Sequence, residues 1–225
     1  MIRWGTLLLM TLGLAATAFA GAIADIRAGL VPQGTVVDVQ GAVVTALLDH
    51  SLTVAELPGG PDLALWVLLD GAPAVAVGDL VDLRGTYLEN NERATLSLWS
   101  PADAFLTVTG QDEVPVSVVD AAALAAAPEA WESVLVLVDE MLTVTGLTGE
   151  GGLLAAGRDS QGVLVLDDYY GVLPAAAPGD CYDAVRGVFF RYQGEHVLKV
   201  QALTPAVCSV GAEARRFSEL KAMFR

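Results

Sequence analysis

The sequence predicts a mainly β protein built from two tandem five-stranded barrels, with a short linking helix between them and a short C-terminal helix. Two observations carry this prediction. A unit of strand, Arg-Gly, strand and polar turn occurs at Val77–Leu98 and returns at Pro178–Val200. Short apolar runs separated by Gly, Pro, Asn or Asp precede each copy, as expected for antiparallel strands joined by turns. A duplicated unit of this length implies a duplicated domain.

The repeated unit carries acidic residues at matching positions. Asp79 and Asp82 of the first copy correspond to Asp180 and Asp183 of the second, which has one extra residue before its Arg-Gly. Each Gly-Asp pair predicts a tight turn in which the carboxylate accepts hydrogen bonds from backbone N–H groups. Calcium binding by these carboxylates, or by Asp167 and Asp168, is the alternative, because calcium takes six to eight oxygen ligands.

The predicted strands follow the same order in both units. We expect a first strand at 35–48 bent at Gly41, a second beginning at 52, and a third at 63–69. A hairpin of strands at 80–88 and 94–98 turns at Asn90-Asn91. The matching segments are 134–145, 153–157, 163–166, 185–192 and 196–203, with a turn at Gln193-Gly194. An added strand at 105–108 and a helix at 120–127 lie between the units.

The N-terminus predicts export. Arg3 precedes an apolar run that ends in Ala18-Phe19-Ala20, the pattern of a cleavable signal peptide. We expect a secreted or periplasmic protein without stable membrane insertion after cleavage. The predicted organisation is a signal peptide (1–20), a first barrel (21–100), a connector (101–132), a second barrel (133–210) and a tail helix (211–225).

The charge of the exported body argues against a nucleic-acid partner. Residues 21–211 hold seven basic and 25 acidic side chains, a net charge of −18. Binding to nucleic acid depends on neutralising phosphates with Lys and Arg, and a body this acidic repels polyanions. The sequence therefore favours an unknown protein or glycan partner.

Three stretches resemble the tandem OB-fold modules of bacterial secreted proteins, which accompany extracellular nucleases or surface-anchoring domains. They are GTVVDVQGAVVT, AVGDLVDLRGTY and PEAWESVLVLV. The resemblance implies two OB barrels and a ligand face on the second and third strands of each. The first unit offers Glu56 and Trp66 on these strands but no Lys or Arg.

One aromatic and basic set in the second unit is a candidate ligand site. It consists of Arg158, Tyr169, Tyr170, Arg191 and Tyr192. Aromatic rings on such a face stack on bases or sugars.

We therefore interpret the protein as a non-enzymatic binding or interaction module. The alternatives are a single-stranded nucleic-acid or oligosaccharide binder associated with an extracellular nuclease, and a degenerate hydrolase.

No catalytic residue, metal ligand or cofactor is predicted. His50 and His196 are far apart in the sequence, and neither lies beside a nucleophile motif, so we expect both to be polar surface residues. Zinc sites need three or four clustered ligands, a spacing that neither the histidines nor the cysteines offer.

The two cysteines predict a disulfide. If Gln193-Gly194 form the turn, Tyr192 faces Glu195 and position 181 faces 206, so Cys208 lies two residues beyond the partner of Cys181. A small bulge or slip would bring the two thiols together. Export would place them where disulfides persist. We expect Cys181 and Cys208 to be bonded, with two buried free thiols as the alternative.

Overall fold

The computed structural model describes residues 21–148, 152–157, 160, 162–192 and 194–208, and the side chain of Tyr192 lies outside that description. The predicted signal peptide and tail helix therefore fall outside the described residues. The elements in the first half are α1 (Ala22–Arg27), β1 (Val36–Leu48), β2 (Ser51–Ala55), β3 (Ala64–Leu68), β4 (Asp79–Asn90), β5 (Arg93–Ser97) and β6 (Phe105–Gln111). Those in the second half are β7 (Ser117–Val119), α2 (Ala121–Ala126), β8 (Leu135–Leu147), β9 (Leu153–Gly157), β10 (Val163–Asp167), β11 (Cys181–Tyr192) and β12 (Glu195–Ala206).

The first five strands close into a barrel in the order β1-β2-β3-β5-β4, and β4 pairs back onto β1. All pairs are antiparallel except β3 with β5, which run parallel. Strand β1 pairs with both β2 and β4 because it is long and bends at Gly41, whose φ is +62°. The pairing register shifts between Val39 and Ala42 at this bend, as expected of a bulge that turns a barrel corner.

The second barrel repeats this connectivity. Its order is β8-β9-β10-β12-β11, β11 pairs back onto β8, and β10 and β12 form the parallel pair. The predicted fold class, a mainly β protein with two tandem five-stranded barrels, is confirmed. The extra residue of the second copy is Ala184, which has a φ of +62° and lies in a bulge between Asp183 and Val185.

The matching Gly-Asp turns are the same in both barrels. Asp79 Oδ2 accepts a hydrogen bond from the Ala76 N–H at 2.8 Å, and Asp180 Oδ2 accepts one from the Ala177 N–H at 2.7 Å. Both preceding glycines have positive φ, +93° at Gly78 and +100° at Gly179. The interpretation of these aspartates as turn caps is confirmed.

Three local features differ from the sequence prediction. The lead-in before the first barrel contains α1, and the connector contains the short strand β7, which pairs parallel to β8. The first hairpin turns at Asn91-Glu92, one residue later than expected, since Asn90 pairs with Arg93. Helix α2 is as predicted, with Asp120 Oδ1 accepting the Ala123 N–H at 2.6 Å.

The predicted disulfide is present. Cys181 and Cys208 are bonded, with their Cα atoms 5.4 Å apart. The predicted register is also correct, because Tyr192 pairs with Glu195 and Cys181 pairs with Ala206. No helix within the described ranges is long and apolar enough to cross a membrane.

Candidate functional site between the barrels

The outer face of β2 and β3 in the first barrel is covered by the second barrel. Alternate residues of these strands fill the first core, so Thr53, Ala55 and Ala64 point outward, yet each is at most 4% exposed. Ala55 and Ala64 belong to the same buried apolar cluster as the core of the second barrel. This face is the one on which OB barrels bind oligonucleotides and oligosaccharides. Here it forms the contact between the barrels, which we call the seam.

A cation–aromatic stack lies at the seam. Trp66 of β3 packs edge-to-face on Phe190 of β11, with ring centroids 5.5 Å apart. The guanidinium carbon of Arg93 lies 3.7 Å from the centre of the Trp66 ring and 5.1 Å from that of Phe190. Burial lowers the pKa of Arg93, although an arginine remains charged at any physiological pH. Arg93 therefore bridges an aromatic ring from each barrel.

A buried ion pair crosses between α1 and the chain segment that enters the second barrel. Arg27 Nη1 lies 3.4 Å from Glu132 Oε2, and both side chains are less than 10% exposed. Arg27 also donates to the backbone carbonyl of Glu129. Burial raises the pKa of Glu132, while the neighbouring guanidinium of Arg27 opposes this effect. The pair joins residues 105 positions apart and helps to fix the two barrels.

Of the five predicted ligand residues, Tyr169 and Tyr170 are brought together. Their rings pack edge-to-face with centroids 5.1 Å apart. The Lys199 ammonium lies 4.0 Å from the centre of the Tyr169 ring and 3.1 Å from Asp167 Oδ2. The Tyr169 hydroxyl accepts the backbone N–H of Asp49 in the first barrel at 3.2 Å. This cluster therefore lies at the rim of the seam.

The remaining predicted ligand residues are placed differently. Arg191 forms a salt bridge with Glu92 of the first barrel. It lies three residues along β11 from Val188, the partner of Lys199, a separation of about 10 Å along the strand. Arg158 and the side chain of Tyr192 lie outside the described residues. Of the five predicted ligand residues, the structure therefore brings only Tyr169 and Tyr170 into contact among the side chains that it describes.

Tyr169 and Tyr170 differ in how much of each side chain is exposed to solvent. Tyr169 keeps 39% of its surface exposed. Tyr170 is half-buried, and desolvation raises the pKa of its hydroxyl, an effect that interaction with Gln201 opposes. Only Tyr169 therefore presents a substantial ring surface to solvent.

His196 is not the surface residue expected from the sequence. It is half-buried, and its ring stacks on Phe189 with centroids 5.6 Å apart and planes 7° from parallel. Burial lowers its pKa, and the nearby Arg191 adds to this effect, whereas Glu129 and Glu195 oppose it. Its position on β12, facing Arg191, places it next to the seam.

The seam was not predicted, and it engages most of the basic side chains. Arg27, Arg93, Arg191 and Lys199 are four of the seven basic residues of the body, and all contact carboxylates or aromatic rings there. Arg84 pairs with Asp38 and Asp103 elsewhere on the first barrel. The sequence signal was the cluster of outward-facing Trp66, Ala55 and Ala64 on strands that carry no Lys or Arg.

No family model matches the chain, and no curated protein matches its sequence. Connectivity and packing define its class, a mainly β protein of two five-stranded barrels that contact each other through the outer face of β2 and β3.

Proposed function

We propose that the protein is an exported, non-enzymatic interaction module whose partner is a protein or glycan and not a nucleic acid. The observation that supports this proposal most strongly is the placement of the basic residues. Arg27, Arg93, Arg191 and Lys199 already contact carboxylates and rings in the seam, while most described acidic side chains are at least partly exposed. A polyanion would have to displace these contacts before it could bind them.

The covered β2–β3 face supports the same proposal. A single-stranded nucleic acid needs a basic groove lined with stacking rings. In the first barrel, Trp66 is engaged by Phe190 and Arg93, and the residues beside it are buried. The strand order is compatible with the resemblance to tandem OB-fold modules. That resemblance in turn supports the role of a binding module.

Oligosaccharide binding remains a second candidate because Tyr169 keeps part of its ring exposed beside carboxylates. Lys199 holds one side of the ring, and Asp167 and Asp168 lie next to it in sequence. Aromatic rings beside hydrogen-bonding carboxylates suit sugars, whose apolar faces stack on the ring. The comparison of Tyr169→Ala with Tyr87→Phe on an array of glycans would test this, since Tyr87 is buried in the first barrel.

The direct test of the proposal is binding of labelled single-stranded DNA at about 150 mM salt, where non-specific binders have Kd values of roughly 10⁻⁴ to 10⁻⁶ M. We expect no binding tighter than this range. A micromolar or tighter Kd that weakens with salt would contradict the proposal.

Export is tested separately by mass spectrometry of protein recovered from outside the cytoplasm. We expect a chain that begins at Gly21, because Ala18-Phe19-Ala20 is a small-x-small cleavage motif. An intact Met1 on the recovered protein would contradict this expectation.

A further inference from the structure

The face that is covered in the first barrel has a counterpart in the second. In the first barrel, directly opposite residues form a row across four strands, Leu80, Val43, Ala55 and Ala64. The matching row in the second barrel is Cys181, Thr143, Ala156 and Val163. The backbone confirms the match, because Val44 and Val144 accept the N–H groups of Gly78 and Gly179.

The two rows differ in exposure at three of their four positions. Val43, Ala55 and Ala64 are at most 4% exposed, whereas Thr143 and Ala156 are half-buried and Val163 is 58% exposed. At the fourth position the order is reversed, because Leu80 is half-buried and Cys181 is 4% exposed. The neighbouring Leu154 and Val165, also outward-facing, are half-buried, and Val165 packs against the seam. We call Thr143, Leu154, Ala156, Val163 and Val165 the β9–β10 face. None of its residues is charged, and it continues an interface that the chain already uses.

The disulfide fixes the start of the C-terminal segment at the edge of this face. Cys181 Sγ lies 3.4 Å from Thr143 Oγ1, so the disulfide is on the same side of the sheet as the row. Strands are about 4.8 Å apart, which places Ala156 about 10 Å and Val163 about 14 Å from Cys181. Cys208 is bonded to Cys181. The last described residue, Cys208, therefore lies beside this apolar face.

The sequence of that segment complements the surface. Phe217, Leu220 and Phe224 recur at the spacing of one helical face. Residues 212–225 contain four basic and two acidic side chains, a net charge of +2, against −18 for the body. The nine residues from Cys208 to Phe217 can span up to about 30 Å, twice the distance required. Tethering by the disulfide also raises the local concentration of the segment.

We propose that residues 212–225 dock on the β9–β10 face, with Phe217, Leu220 and Phe224 packed against Leu154, Ala156 and Val163. The segment thus covers the β9–β10 face of the second barrel, just as the second barrel covers the corresponding β2–β3 face of the first. This contact is intramolecular, and it holds whether or not the module binds a glycan or protein elsewhere. The disulfide acts as its anchor.

Hydrogen–deuterium exchange of the mature chain, residues 21–225, tests the proposal. We expect amides of 212–225 to exchange about tenfold or more slowly than in the free peptide, the protection that a docked:undocked ratio of about 10:1 confers. Val163→Lys should remove this protection by placing a charge in the contact. Val118→Lys is the matched control, because Val118 is 65% exposed on β7 and lies off the β9–β10 face.

A second pair of variants acts from the other side of the contact. Phe217→Ser/Phe224→Ser should speed exchange of the tail and increase binding of the apolar dye ANS, whereas Ser218→Ala should do neither. Exchange of 212–225 at the free-peptide rate in the native chain would overturn the proposal. Equal protection in Val163→Lys and Val118→Lys would also overturn it, as would protection lost on dilution, which would indicate a second copy as the occupant.

Discussion

Trp66 and Phe190 pack edge-to-face across the two barrels, with ring centroids 5.5 Å apart. Trp66 lies on the parallel strand pair of the first barrel, and Phe190 lies near the end of the hairpin that closes the second. Phe190 is 1% exposed, and its cluster includes Ala46 of the first barrel. This contact ties the stability of each barrel to that of the other.

Phe190→Ala should lower the free energy of unfolding by about 3–5 kcal/mol, the usual cost of removing a buried aromatic side chain. The measurement is urea denaturation of the mature chain. Phe105→Ala, at a residue that is 43% exposed on β6, serves as the control and should cost less than about 1 kcal/mol. Equal costs at the two positions would contradict the packing described for the seam.

Arg27→Met should destabilise the protein by about 3–5 kcal/mol, because it leaves the buried Glu132 carboxylate without its cation. The double variant Arg27→Met/Glu132→Gln should recover part of this loss, since no unpaired charge remains. Arg84→Met is the control, because the Arg84–Asp38 pair is exposed and such pairs contribute about 1 kcal/mol or less. A double variant less stable than Arg27→Met would contradict the account.

The disulfide should stabilise the second barrel by about 3–4 kcal/mol in the chain-entropy model, because it closes a loop between residues 27 positions apart. Cys181→Ser/Cys208→Ser should therefore unfold at lower urea concentration than the native chain. Thiol titration of unfolded, non-reduced protein should find no reactive thiol. Two reactive thiols per chain would show that the bond does not form.

Stability should fall as the pH drops below about 6.5, the ordinary pKa of histidine. The pKa of His196 is lowered in the folded state by burial, so the unfolded chain binds the proton more readily and acid favours unfolding. The charged groups near the ring are Glu129, Arg191 and Glu195. His196→Gln should flatten the stability profile below about pH 6.5, whereas His50→Gln, an exposed control, should not. Unchanged slopes in both variants would contradict this prediction.

Local sequence patterns predicted the barrels well because the strands are short apolar or alternating runs separated by strong turn residues. Gly41 marked the bend of β1, and Gln193-Gly194 set the register that brings Cys181 within reach of Cys208. Asp79 and Asp180 were correctly interpreted as turn caps because a carboxylate after glycine meets free backbone N–H groups whatever the rest of the fold does.

The seam could not be predicted in the same way because it depends on the placement of one barrel against the other. Trp66 and Arg191 look like ligand-binding residues when each barrel is considered alone. In the structure Trp66 contacts Phe190, and Arg191 contacts Glu92, residues that no local pattern connects. The signal available was indirect: β2 and β3 carry no charged residue on their outer face, which is typical of a surface that will be buried.

The central claim is that the seam joins the two barrels into one rigid unit, and residual dipolar couplings test it most directly. Backbone N–H couplings are measured in one alignment medium for the strands Val36–Ser97 and, separately, for Leu135–Ala206. The account predicts that both sets fit a single alignment tensor in the native chain. Two tensors that differ in magnitude or orientation would show that the barrels move independently, and would contradict the account.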